Sequence, residues 1–219
     1  MVQKILLSGG TGLVGSRIAG QLGSLPDHRL VSLVRKARGP GERQTDFDAL
    51  LAAPEREIAQ AAPDGVDVAI CCLGTTISDA GSKEAMWKVD HDYVVAFAQG
   101  AKAAGARQLI LMSAAGAGGA GFYLKTKGAV EKSVAALGFA RVDLVRPGLM
   151  LGPRPGRSVL EAIGCAIYPF LWPILQGPLA KYQGIPVEDV AGGMVRLIGS
   201  PQTGSFIHLN KDLRRLARR

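Results

Sequence analysis

Apolar positions follow two alternating rhythms along the first two thirds of this chain. Short apolar-rich stretches at 5–7, 29–34, 66–73, 108–113 and 140–146, nearly continuous at 66–73, are separated by stretches where apolar residues recur every three or four positions. The first pattern suits strands buried on both faces, the second amphipathic helices. Their alternation predicts a mostly parallel sheet with helices on both sides: an α/β, three-layer, doubly wound Rossmann fold. The first strand begins by Gln3, and Leu13, Val14, Ile18 and Leu22 mark the helix after it. Residues 35–44 read as loop, with Gly39-Pro40-Gly41 as breaker, and a short third strand is expected near 44–47. A weak helix is expected over 54–61, and one long helix over 83–104 with Ser82 as its cap and Gly105 beyond its end. Another helix, 122–137, stops at Gly138. After Pro147-Gly148 the pattern changes: 152–184 is an apolar run punctuated by prolines, expected as a lid or substrate region without its own core. A helix over 186–199 and a strand over 205–209 follow. Residues 1–219 are thus expected to form a single domain that ends in a basic tail, 211–219.

Composition narrows the class. With 219 residues, 47% of them hydrophobic, the chain can bury a real core. No signal-peptide pattern opens it, and the longest apolar run, 162–175, is too short to span a bilayer and is interrupted by Pro169 and Pro173. A cytoplasmic protein without a membrane span is the expectation. Cys71 and Cys72 are adjacent in an apolar run and Cys165 lies far off, which gives neither a disulfide framework nor ligand spacing and fits reduced thiols. His28, His91 and His208 are scattered, so no metal is expected. The net charge is +8, but the tail alone holds Lys211, Arg214, Arg215, Arg218 and Arg219 against Asp212, a net of +4. A nucleic-acid binder is therefore not indicated. The tail could touch RNA or an anionic membrane, but a solvated, frayed end is the simpler reading.

The candidate chemistry begins at residues 7–15, LSGGTGLVG, between the first strand and its helix. Such a turn cradles a pyrophosphate. Gly9 permits the tight turn, Gly12 lets backbone approach the phosphates, and Gly15 lets the helix pack closely. Thr11, Leu13 and Val14 complete the cofactor-binding stretch. It is not a Walker loop, because Ser16 and Arg17 stand where Lys-Ser/Thr would be needed. NAD-binding units carry an acid at the end of the second strand to hold the ribose hydroxyl. This chain has Arg35 and Lys36 there, with Arg38 beyond, which suits a 2′-phosphate and favours NADP(H). Asp46 and Phe47, and Leu73, Gly74 and Thr75, end the third and fourth strands, where adenine and ribose are expected. Tyr123 and Lys127 stand four apart on a predicted helix. A lysine near a tyrosine favours the phenolate, making Tyr123 a usable acid for a carbonyl oxygen, while Lys127 could also hold the nicotinamide ribose. Ser113, at the end of strand five, could donate to the same oxygen.

In series, these stretches resemble the short-chain dehydrogenase/reductase superfamily, and most of all the small atypical branch of the HIV Tat-interactive protein and its bacterial and fungal relatives. The matching residues are GGTGLVG (9–15), TDF (45–47), CCLGTT (71–76), VDHDYV (89–94), YLKTKG (123–128), LVRPGLMLG (144–152) and PVEDVA (186–191). The resemblance implies a Rossmann domain with NADP(H), a Ser113-Tyr123-Lys127 set, and a segment Arg146-Pro147-Gly148-Leu149 passing near the nicotinamide. Three departures stand out. Asp90 occupies a position where many superfamily members have an asparagine in a proton relay. Ser113 precedes Tyr123 by only ten residues. The region after Gly152 is short for a sugar-nucleotide pocket. Asp90, His91 and Asp92 themselves read as a solvated or subunit-facing helix surface, and Trp87, Tyr93 and Phe97 as packing residues.

Three functions follow in order. The first is an NADP(H)-dependent oxidoreductase acting on a small-molecule carbonyl or alcohol. The second is an NADPH-binding regulatory or interaction protein with little turnover. The third, disfavoured, is a nucleotide-sugar epimerase or dehydratase. A homodimer, paired through the 83–104 helix, or a protein partner is compatible with the pattern.

Overall fold

Seven strands, β3 (Glu42–Gln44), β2 (His28–Val34), β1 (Gln3–Ser8), β4 (Val68–Cys71), β5 (Gln108–Met112), β6 (Arg141–Val145) and β9 (Gly204–His208), lie side by side in that order in one parallel sheet. The computed structural model describes residues 2–152 and 182–218. The elements are β1 (Gln3–Ser8), α1 (Gly15–Gly23), β2 (His28–Val34), β3 (Glu42–Gln44), α2 (Phe47–Ala52), α3 (Pro54–Ala61) and β4 (Val68–Cys71). Then come α4 (Ile77–Ala80), α5 (Lys83–Trp87), a π-turn (Lys88–Asp92), α6 (Tyr93–Ala103), β5 (Gln108–Met112) and α7 (Phe122–Ala135). The chain continues through β6 (Arg141–Val145), β7 (Met150–Leu151), β8 (Ile185–Pro186), α8 (Val187–Leu197), β9 (Gly204–His208) and α9 (Asn210–Ala217). The expected doubly wound architecture is what forms.

Every residue of β4, β5 and β6 is buried, as expected of strands covered on both faces, with Gln108, Arg141 and Asp143 the polar exceptions to an apolar run. One core lies between the sheet and α2, α3, α6 and α7, built on Leu6, Leu50, Ile58, Phe97, Leu109 and Val134. The other lies under α1, α8 and α9, built on Ile5, Leu7, Ile18, Leu22, Met194 and Leu213. Strand order reverses at β1, whose two neighbours β2 and β4 are both parallel to it. Ligands in open α/β sheets bind beyond the strand ends at such a switch point.

Three expectations need correction, and a fourth falls largely outside the described residues. The third strand is over by Gln44, because Asp46 accepts the amides of Asp48 and Ala49 and so caps a helix that starts at Phe47. Residues 83–104 are not one regular helix: a π-turn interrupts it at Lys88–Asp92. The tail is no frayed end. It folds as α9, where Leu213 is fully buried and Asn210 bonds both Gly148 N–H and the Gln183 carbonyl. Two apolar residues among the cations, Leu213 and Leu216, are what dock it against the second core. The expected lid 152–184 falls, apart from its ends, outside the described residues.

The far edge of the sheet carries a buried polar knot. Asp143, with no exposed surface, takes a two-pronged pair from Arg141 at 2.7 Å to each oxygen, and is reached by Gln108 Nε2 at 2.7 Å and His208 Nε2 at 2.8 Å. Burial works to raise the Asp143 pKa, but its bonds to His208, Arg141 and Gln108 outweigh it and hold the carboxyl below its usual value.

Candidate functional site

A cleft of about 810 Å³ opens at the switch point. Its floor is the glycine turn. Gly9 sits at φ +82°, and a β-carbon there would stand 2.5 Å from the Cys72 carbonyl carbon. A β-carbon at Gly15 would stand 2.1 Å from the Gly9 carbonyl oxygen, so helix and turn touch only because residue 15 is glycine. The first turn of α1 holds no acidic residue, and no side chain caps it. Its amide end is therefore suited to an anion. Gly9, Thr11 and Gly12 line the cleft, while Leu13 and Val14 turn their side chains into the second core.

Further along the cleft stand Arg35, Asp46 and Phe47 on one wall and Leu73, Gly74 and Thr75 on the other. Lys36 is exposed and lies outside the lining. Tyr93, assigned to packing in the sequence reading, and Asp48, left aside there, both line the cleft. Tyr93 packs its ring 5.6 Å from Phe47 and donates its hydroxyl to Asp48 at 2.6 Å, and Lys88 meets the same carboxylate oxygen at 2.6 Å. Cys72 also lines the cleft. Burial pushes the Cys71 thiol up to about 12 and moves Cys72 in the same direction, so neither acts as a ready nucleophile.

Helix α7, which adds none of the described lining residues to the cleft, carries Tyr123, Lys127 and Glu131 at successive four-residue steps. Tyr123 is 42% exposed, with the Lys127 ammonium 5.8 Å from its ring centre. Lys127 is buried and forms an ion pair at 2.8 Å with Asp90, whose other oxygen accepts the Thr75 N–H at 2.7 Å. The expectation of a solvated surface over Asp90, His91 and Asp92 is therefore wrong in its main member, since Asp90 has no exposed surface. The π-turn rotates it inward, and such turns concentrate at functional sites. The signal was present in the sequence, because Asp90 falls at a position where the superfamily uses a polar relay residue. His91 meanwhile stacks on Trp87 at 4.5 Å and links Asp92 (2.8 Å) to Ser133 (3.0 Å), which fastens the π-turn to α7.

Ser113 lies at the end of β5 as expected, but its hydroxyl is engaged within the protein. It is buried and donates to Glu131 at 2.5 Å. Glu131 in turn receives the fork of Arg146, at 2.9 and 2.5 Å. A hydroxyl has one hydrogen, and Ser113 spends it here. The structure thus brings Tyr123 and Lys127 together and holds the Ser113 donor apart from them. Pro147 is buried and its carbonyl accepts the Ala115 N–H at 2.9 Å, whereas Leu149 is 42% exposed. No group of three or more metal-ligating side chains occurs among the described residues.

Comparison with known proteins bears on this geometry. A family described as NAD(P)H-binding matches residues 9–156. Protein FMP52, mitochondrial, of Eremothecium gossypii is 33% identical over 198 residues, covering 87% of this chain and 85% of its own. Protein HTATIP2 of Rattus norvegicus is 35% identical over 162 residues, covering 68% of this chain and 63% of its own. Among solved structures, a short-chain dehydrogenase/reductase superfamily protein from Agrobacterium tumefaciens with bound NAD superposes with a TM-score of 0.71 at 14% identity, covering 95% of this chain and 77% of that one. UDP-glucose 4-epimerase from Thermotoga maritima superposes at 0.70 with 13% identity, covering 99% of this chain and 82% of that one. At such identities these structures speak for the fold alone. One expectation is overturned: the cytoplasmic assignment does not stand, because similar relatives from several fungi are named mitochondrial.

Proposed function

The chain belongs to the NAD(P)H-binding family, in the atypical short-chain dehydrogenase/reductase branch of FMP52 and HTATIP2, and from that premise we propose that it is an NADP(H)-dependent oxidoreductase acting on a carbonyl or alcohol. The observation that carries the reading is one continuous cleft with the glycine turn at its floor, Arg35 on its outer wall and Gly74, against the Lys127 ammonium, at its inner wall. The bound nicotinamide supplies or accepts the hydride. Everything else falls to the chain. The amide end of α1 and the backbone from Gly9 to Gly15 take the pyrophosphate. Arg35, with Lys36 beside it, takes the 2′-phosphate through a guanidinium fork. Asp46, Phe47, Leu73 and Thr75 flank the adenosine, and Pro147 and Leu149 flank the nicotinamide. Lys127 holds its ribose, and the Tyr123 phenol passes a proton to the substrate oxygen. Ser113 stays on Glu131 and fixes the end of β5, which leaves the phenol as the proton donor.

The second reading, an NADPH-binding regulatory protein with little turnover, is favoured by two contacts. Asp90 offsets the lysine charge that would acidify a phenol, and Glu131 holds the serine donor. One experiment separates the two. NADPH and NADH are titrated by fluorescence, and a broad panel of carbonyl compounds is screened for NADPH oxidation. An oxidoreductase turns over at least one of them, and Tyr123→Phe lowers that rate by about 10²- to 10⁴-fold with cofactor affinity kept. Equal indifference to both nucleotides, or full activity in Tyr123→Phe, refutes the proposal. Tight NADPH binding with no turnover on any compound selects the regulatory reading.

A further inference from the structure

The pair Asp90–Lys127 is almost shut off from solvent. Asp90 has no exposed surface, the Lys127 side chain is 5% exposed, and their charged atoms are 2.8 Å apart. They lie directly behind the inner wall: a β-carbon on Gly74 would be 3.5 Å from the Asp90 carboxylate and 3.7 Å from the Lys127 ammonium. Val89, one residue before Asp90, also lines the cleft. One turn along α7, Glu131 is already matched by Arg146. Among the described residues, the charge that compensates Lys127 is therefore Asp90. The same carboxylate accepts the Thr75 N–H, so it also fixes the turn that carries Gly74 and Thr75 along the cleft.

We infer that Asp90 is a charge-setting and positioning residue: it makes the nicotinamide end of the cleft electrically neutral, and thereby sets the balance between oxidised and reduced cofactor. The inference rests on the binding mode given under the proposed function. The nicotinamide ring is cationic when oxidised and neutral when reduced. A lone buried ammonium beside it disfavours the oxidised ring, while an ammonium matched by a carboxylate does not. Coulomb interactions in a partly desolvated site are strong enough for one unmatched charge to shift this preference by about tenfold or more.

The test is a charge cycle read by equilibrium binding of NADP⁺ and NADPH, without turnover. Asp90→Asn retains an oxygen to accept the Thr75 N–H but removes the charge. It raises the ratio of the NADP⁺ to the NADPH dissociation constant by about tenfold. Lys127→Met leaves the carboxylate unmatched and moves the ratio the other way. The double variant, with neither charge, returns the ratio to within about threefold of wild type. Should Asp90→Asn fail to fold because a buried ammonium is left alone, comparing Lys127→Met with the double variant tests the same charge. A ratio unchanged in that comparison, or in Asp90→Asn, overturns the inference. So does equal weakening of both cofactor forms, which would mark a purely structural residue. Wild-type protein binding neither nucleotide would instead refute the proposed function beneath it.

Discussion

Two glycines on α1 make opposite predictions from the same substitution. An alanine methyl at Gly15 would stand 2.1 Å from the Gly9 carbonyl oxygen, 2.8 Å from that carbonyl carbon and 3.0 Å from Gly10 Cα. Comfortable carbon contacts begin near about 3.5 Å. The overlap is with backbone, which cannot rotate aside, so the turn itself must move. Overpacking costs about 1–3 kcal/mol, and a backbone obstacle places this one at the upper end, about 2–3 kcal/mol. For a chain of this size each kcal/mol shifts Tm by about 2–4 °C, giving a fall of roughly 5–10 °C. Because the displaced turn is also the pyrophosphate cradle, cofactor affinity should fall by at least about tenfold, equivalent to about 1.4 kcal/mol. At Gly20, five residues along the same helix and exposed, a β-carbon meets nothing within 4 Å. There alanine gains helix propensity and should stabilise by about 0.5–1 kcal/mol with cofactor binding unchanged. Urea unfolding followed by circular dichroism and fluorescence titration of NADPH read both effects. Gly15→Ala with wild-type stability and affinity, or a destabilised Gly20→Ala, would refute the reasoning.

Other consequences are smaller in scope. Replacing Arg35 by serine should weaken NADPH binding by about tenfold while changing NADH binding little, as expected for a lost charge-assisted bond to a phosphate; parallel titrations check this, and equal losses for both cofactors would count against the 2′-phosphate assignment. Truncating Leu213 to alanine in α9 should cost about 2–5 kcal/mol in chemical unfolding, because the side chain is fully buried; a cost near zero would return the tail to a frayed end. Asp143 has a native pKa below its unfolded value of about 3.9, so its contribution is complete above that pH and is lost as pH falls through the lower native value. Asp143→Asn should flatten the acid limb of the stability curve there and cost about 3 kcal/mol near neutral pH, where Arg141 is left without its partner; an unchanged acid limb in denaturant titrations at stepped pH would contradict the assignment.

Much of the architecture was legible along the chain because it depends on local rhythm. Continuous apolar runs became the central strands, Ser82 capped its helix as read, and the glycines at 9 and 15 stand where only glycine fits. The elements misread were those decided by contacts distant in sequence. Nothing near residue 213 announces that two leucines among arginines will find the second core.

The sequence by itself determined the parallel sheet, the glycine cradle at its first turn, and the presence of Tyr123, Lys127 and Arg35 in an order that suits a pyridine nucleotide. Only tertiary structure decided how those groups are tuned. Asp90 reaches Lys127 because a π-turn rotates it inward and α7 packs against that turn, two residues brought within 2.8 Å from 37 positions apart. Ser113 donates to Glu131, itself held by Arg146, for the same kind of reason. Backbone preferences and hydrophobic periodicity act over a few residues and survive in the linear pattern, whereas the partner of a buried charge is set by whichever distant side chain the completed packing leaves beside it.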